Sequence, residues 1–230
     1  MLRTVSPNIS IITNWGCRAN CWYCIWKEHE LEHVNEPTRW GKLGKFLYDN
    51  KEKKKVSISG GGDPLYKFWV NSLWWDKLLH TTSKLDMKVD IHTREVFDFD
   101  SFWKRINRCV ISSDRLTIEQ KLYFRYLLSL TKLRITHVVT ANTTFEMIDE
   151  YLLFQKEYNK MEVVGTKQAF WFVPRCQFTI KELSGHDDNG MYKKIREKYP
   201  DIYYLDDGDY NIYYMPDNSI RTEFIGGKPQ

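Results

Sequence analysis

The sequence predicts an α/β fold built on parallel strands, and three observations carry that prediction. Short β-type runs alternate with longer helical patterns along most of the chain, which is the signature of βαβ units. No internal repeat, low-complexity tract or Pro/Gly/Ser-rich linker divides the 230 residues, so one domain accounts for them. The strand candidates also carry polar residues on one face. A sheet packed by helices on both sides favours apolar residues on both faces, so a barrel with a ligand-filled interior fits better than an open sheet, with a wet rim as the alternative.

Taken in order, the strand candidates are residues 9–14, 56–59, 88–93, 109–113, 133–139 and 169–173. Helical patterns lie between them at 39–50, 66–80, 99–106, 117–130 and 143–158. The fourth helix places Leu116, Tyr123, Tyr126, Leu127 and Leu130 on one face at helical spacing. Strand parity sets Val89 and Ile91 against Asp90, His92 and Arg94, and sets Leu133 and Ile135 against Arg134, Thr136, Thr140 and Asn142. Ser57 and Ser59 likewise oppose Val56 and Ile58. After residue 178 a polar loop leads to a short helix ending near Tyr199. Two Tyr-rich runs, 202–205 and 210–215, then flank an Asp-rich turn and read as a hairpin. The expected organisation is a barrel over residues 1–178, with residues 179–230 as an extension of the same domain that caps one end.

Composition narrows the function classes. The formal net charge of +4 permits nucleotides and other anions, but there is no concentrated basic tract of the kind an obligate DNA binder carries. Direct nucleic-acid binding therefore has no support beyond that mild charge. The one dense run, residues 51–55, reads as a solvated helix end. No stretch is long enough to cross a bilayer and no apolar signal segment opens the chain, so a cytoplasmic protein without a membrane partner is expected. Nine Trp and an aromatic content of 15% suit a pocket for a flat ligand as well as a core. Five cysteines are present and three fall between positions 17 and 24, which in a reducing compartment points to metal or redox chemistry before disulfides.

Those three, Cys17, Cys21 and Cys24, follow the first predicted strand directly. Iron–sulfur clusters are held by Cys thiolates, and three ligands leave one iron of a cubane open for an external ligand. A closed Cys3His zinc site with His29 or His33 is the competing reading. A second motif weighs against zinc. Gly60, Gly61, Gly62, Asp63 and Pro64 follow the second predicted strand, where glycines admit a ligand close to the backbone and Asp63 supplies a carboxylate at the strand's C-terminal end.

Together these segments resemble the radical S-adenosylmethionine (radical SAM) superfamily, whose signature C-x3-C-x-aromatic-C appears here with Tyr23 in the aromatic position. Its Gly-Gly-Glu-Pro segment appears as Gly61-Gly62-Asp63-Pro64, with Asp in place of the usual Glu. The resemblance covers roughly residues 7–176 and implies a partial (β/α)6 TIM-like barrel. It implies that Cys17, Cys21 and Cys24 ligate three irons of an oxygen-sensitive [4Fe–4S] cluster, whose open iron takes the amino and carboxylate groups of S-adenosylmethionine. It further implies that Gly61, Gly62 and Asp63 bind the methionyl amine and that Tyr23 lies by the adenine. Ser112 and Asp114 match a ribose or carboxylate contact. Asn142 lies where the family has a strand-five adenine contact, though the usual Gly pattern is missing, and Pro174 resembles a further adenine-side position. The implied reaction is reductive cleavage of S-adenosylmethionine to a 5′-deoxyadenosyl radical that abstracts hydrogen from a substrate, with electrons from a flavodoxin- or ferredoxin-type donor.

Weaker candidates remain on the substrate side. Arg94 suits a bidentate anion, His92 shares its face, and Cys176 is expected after the sixth strand at the catalytic mouth. An inert buried thiol is the bland reading of Cys176, and Cys109 reads as structural. Arg175 and His186 fall where a substrate-capping segment is expected. The literal H-E-x-x-H at His29–His33 has charged flanks and a nearby Pro37, and reads as a polar loop rather than a metalloprotease helix. Three functions follow: an enzyme acting on a small-molecule or nucleotide/nucleobase substrate, a glycyl-radical-enzyme activase resembling those of anaerobic ribonucleotide reductase, or a zinc-binding interaction module.

Overall fold

The computed structural model describes residues 8–13, 15–19, 21, 24, 39–59, 62–114, 116–161, 176–182, 189–205 and 210–221. Two compact units emerge: one of residues 1–97, 105–107 and 207–230, the other of residues 98–104 and 108–206. Each takes in part of the expected C-terminal extension. No described helix is long and apolar enough to cross a membrane.

The first unit holds β1 (Asn8–Ile12), β2 (Lys55–Ser59) and β3 (Lys88–Thr93), with α1 (Trp40–Asp49) and α2 (Ser72–Lys84) in the crossovers. All three strands are parallel, with Ile9 opposite Val56 and Val56 opposite Val89. The apolar parity face, Ile9, Ile11, Val56, Ile58, Val89 and Ile91, is buried, as are Leu43 and Leu47 of α1 and Trp75, Leu78 and Leu79 of α2. The other face is polar but equally enclosed: Ser10, Ser57 and Asp90 lie in register across the three strands and are all buried.

The second unit holds β4 (Arg108–Ser112), β5 (Lys132–Val138) and β6 (Cys176–Lys181), with a single helical turn α3 (Asp100–Trp103), α4 (Ile118–Leu130) and α5 (Phe145–Met161). A capping box starts α4: Thr117 Oγ1 accepts from the Gln120 N–H while Gln120 Oε1 accepts from the Thr117 N–H. The strands are again parallel and split by parity. Cys109, Ile111, Leu133, Ile135, Phe178 and Ile180 form the apolar face, while Thr136 bonds Thr179 at 2.9 Å and Arg134 donates to Gln177 on the polar face. The buried stripe of α4 is Phe124, Leu127 and Leu128; Tyr123 is exposed, and Tyr126 turns outward to Asp100. The expected Tyr-bearing stripe is thus displaced, because a phenol needs a polar partner that a dry face lacks.

The sixth described strand is Cys176–Lys181, and the expected strand at 169–173 lies outside the described residues. One strand expectation needs correction. The two Tyr-rich runs do not pair with each other. β7 (Tyr203–Leu205) adds parallel to β6, and β8 (Tyr210–Tyr214) adds parallel to β1. The hairpin that does form joins β8 to β9 (Ile220–Arg221). Open edges on β1 and β6 each offer unpaired backbone groups, and extended Tyr-rich segments satisfy them better there than in an isolated ribbon. The expected short helix is present as α6 (Met191–Lys198). Because β2 and β8 occupy the two edges of β1, the order reversal of a doubly wound sheet does not occur there, and within each unit β1–β2–β3 and β4–β5–β6–β7 neighbour one another in chain order. The α/β class expected from the sequence is therefore the fold of the chain.

Candidate functional site

The cysteine loop leaves β1 and is seated by an aromatic wedge. Trp15 is buried and meets Trp74 and Trp75 of α2 edge to face, with ring centroids 4.9 and 6.2 Å apart. Gly16 follows with φ +104°, a left-handed conformation that favours glycine. The turn after β2 then presses against it. The Asp63 N–H donates to the Gly16 carbonyl at 2.7 Å, and a Cβ at Gly62 would stand 2.4 Å from that same oxygen. Only glycine fits at position 62.

Asp63 is the centre of the arrangement. Its carboxylate is buried and accepts from the Leu65 N–H, the Thr93 hydroxyl and the Arg94 N–H, at 2.9, 2.7 and 2.6 Å. Thr93 in turn accepts from the Glu95 N–H. One side chain therefore ties the turn after β2 to the end of β3, while its own N–H holds the cysteine loop. Burial raises its pKa, and the bonds from Arg94, Thr93 and Leu65 oppose that rise. The chain leaving β3 reaches back to the cysteines as well. The Arg94 guanidinium donates to Cys21 Sγ, and Glu95 lies 3.7 Å from Arg18.

All three motif cysteines are free and half-buried. Burial raises the pKa of Cys17, with further contributions from Asp63, Cys21 and Cys24, while the Ala19 N–H opposes them. No three His, Cys, Asp or Glu side chains among the described residues converge as a ready-formed metal site. As a donor set the three sulfurs suit iron–sulfur ligation, in which each binds as the thiolate. The enclosed polar face fits a bound group too: the buried hydroxyl of Ser57 has no hydrogen-bond partner among the described residues, and such an orphan marks a place where a ligand or water belongs.

The remaining candidates are distributed as follows. Gly62, Asp63 and Arg94 gather around the cysteine loop, but Asp63 turns its oxygens inward and Arg94 faces a cysteine sulfur. His92 is half-buried on β3, while on the same parity face Asp90 accepts from Asn107. Ser112 closes β4, Asp114 follows two residues on and is exposed, and Asn142 is exposed in the turn after β5. Cys176 requires correction. It opens β6 instead of following the sixth strand, sits in register with Leu133 on the apolar face, and is fully buried, which pushes its thiol up to about 12. A thiol so placed is core packing. Tyr23, His29, His33, Gly60, Gly61, Pro174, Arg175 and His186 lie outside the described residues.

Several residues of this architecture were not among the sequence candidates: Trp15, Gly16, Thr93 and Glu95 here, and His137 with Ser113, Thr143 and Tyr151 in the second unit. His137 had a readable signal, since parity puts it on the apolar face with Leu133 and Ile135, where a buried imidazole needs partners.

No protein-family model matches the chain, and no curated protein sequence does. Among solved structures it is similar to HydG, a maturase of the [FeFe]-hydrogenase, with a TM-score of 0.50 and 12% identity over 89% of this chain and 47% of that one. BtrN in complex with AdoMet and 2-DOIA is also similar, with a TM-score of 0.40 and 14% identity over 56% of each chain. The chain spans about half the length of each of these structures. What it shares with HydG is the fold.

Proposed function

We propose that the chain is a radical S-adenosylmethionine enzyme in which Cys17, Cys21 and Cys24 hold a [4Fe–4S] cluster. The observation that carries this reading is the bracing of the three-cysteine loop by the two following βα turns, through Gly62, Asp63 and Arg94. The fold shared with HydG agrees with it. When bound, the cluster would supply the electron that cleaves S-adenosylmethionine to a 5′-deoxyadenosyl radical, which abstracts hydrogen from a small-molecule or nucleotide substrate.

The chain's own residues then have distinct tasks. Trp15 and Gly62 fix where the cysteine loop runs. Asp63 holds the loop through its N–H, and its carboxylate is already committed to Thr93, Arg94 and Leu65. The methionyl amine therefore falls to main-chain carbonyls of the Gly-rich turn. Ser112 and Asp114 take the ribose or carboxylate, and Asn142 the adenine. The buried polar row Ser10, Ser57 and Asp90 offers hydrogen bonds to a polar substrate and limits bulk water. A flavodoxin- or ferredoxin-type protein would be the electron donor.

Anaerobic reconstitution with iron and sulfide, followed by dithionite in the presence of S-adenosylmethionine, tests the reading. Release of 5′-deoxyadenosine is expected. Colourless protein carrying one zinc per chain and indifferent to dithionite would replace it with the zinc-module reading.

A further inference from the structure

Outside the cysteine site, the described residue with the most fully specified polar surroundings is His137 of β5. It is 2% exposed, and each ring nitrogen has one partner on a different segment. Nδ1 lies 3.1 Å from the carbonyl oxygen of Ser113, and Nε2 lies 3.0 Å from Thr143 Oγ1. A carbonyl only accepts, so Nδ1 carries the hydrogen and Nε2 accepts from the threonine hydroxyl. Thr143 Oγ1 also accepts from the Thr140 N–H at 3.0 Å, so a second ring hydrogen would displace the hydroxyl hydrogen from its acceptor.

Both segments are pinned at further points. The Ser113 N–H donates to the Thr136 carbonyl, and its hydroxyl accepts from Tyr151 at 2.9 Å. Tyr151 is itself held flat against Phe178, with centroids 4.7 Å apart and planes 9° apart. Ser113 is therefore fixed at its N–H, carbonyl and hydroxyl, and its sequence neighbours are Ser112 and Asp114. At the other nitrogen, Thr143 closes the turn 140–143, with its N–H on the Thr140 carbonyl and Asn142 inside the turn. One imidazole thus joins the chain end that carries Ser112 and Asp114 to the turn that carries Asn142.

We propose that His137 is a positioning residue for S-adenosylmethionine, acting as a neutral clip that sets the spacing between Ser112–Asp114 and Asn142. The proposal rests on the functional reading above. It assigns a role to a side chain that touches neither cofactor nor substrate, and it makes the Thr143 hydroxyl as necessary as the ring.

The test uses the reconstituted chain and its dissociation constant for S-adenosylmethionine, measured by anaerobic equilibrium dialysis beside iron content and melting temperature. His137→Phe and Thr143→Val should each weaken binding about tenfold or more with iron content unchanged, and Thr143→Ser should restore wild-type affinity. Should His137→Phe fail to fold, Thr143→Val, which leaves the bond to Ser113 intact, carries the comparison. Variants that load iron and bind as tightly as wild type overturn the proposal while leaving the enzyme reading in place. Wild type that loads a cluster yet binds no S-adenosylmethionine overturns both. A ring spectrum by 15N–1H correlation, which needs no cluster, should show hydrogen on Nδ1; hydrogen on Nε2 instead would break the clip.

Discussion

In the first unit the carboxylate of Asp63 gathers three donors from the turn after β2 and the end of β3; in the second, the imidazole of His137 stands between a carbonyl and a hydroxyl. Both side chains are buried and both fasten two loop ends, yet their chemistry is opposite. Asp63 accepts throughout, two of its bonds coming from main-chain N–H groups, so no single neighbour's side chain is indispensable. His137 donates once and accepts once, so it works in one tautomer only. An anion ringed by donors holds a loop against loss of any one contact, whereas a neutral ring between unlike partners holds a spacing only while each partner keeps its own role.

The comparison can be broken most sharply at the sulfurs. Replacing Cys17, Cys21 or Cys24 by Ser should reduce iron and sulfide after anaerobic reconstitution to background, while the protein still folds, since these thiols lie on a loop and outside the core. Next comes the anionic brace. Asp63→Ala leaves a hydroxyl and two N–H groups without their acceptor and should cost about 3 kcal/mol in denaturant unfolding, with reduced iron loading as the loop loses its support. Asp63→Asn, which keeps one acceptor oxygen, should fall between the two.

A smaller effect distinguishes the neutral clip. Burial lowers the pKa of His137 from its ordinary 6.5, against opposing contributions from the Ser113 carbonyl and the charge of Asp114. The unfolded chain therefore takes up a proton at higher pH than the folded one. Stability should be undiminished above about pH 6.5 and decline below it, at no more than about 1.4 kcal/mol per pH unit from this group. Urea midpoints of wild type and His137→Gln between pH 7.5 and 5.5 check the sign, and the variant should lose that component. Smallest of all, Cys176→Ala should cost about 1–2 kcal/mol as a core truncation and leave iron content and S-adenosylmethionine cleavage unchanged.

How far the sequence foretold this depends on how local each signal was. The strands through β5 lie within a residue or two of their expected bounds, because apolar alternation repeats in runs bounded by turns. The polar faces were legible for the same reason, since parity alone separates Thr136 from Ile135. The last third was not. The strand at 176–181 was not expected, because Gln177, Thr179 and Lys181 break its apolar run. Partners of the Tyr-rich runs are fixed by tertiary pairing that no local pattern encodes. At the site, the cysteines and the Gly-rich turn were evident from spacing, but the inward turn of Asp63 depends on Thr93 and Arg94, thirty residues away in sequence.

The contact of Gly62 with the Gly16 carbonyl has a further consequence for anyone reshaping this protein. The two turns interlock like a key cut for one lock, so neither can be exchanged singly for a homologous segment of different contour. Transplanting the cysteine loop onto another scaffold would require carrying residues 15–24 and 59–65 as a single cassette, and a library that diversifies position 62 would be spent almost wholly on members whose two turns cannot pack.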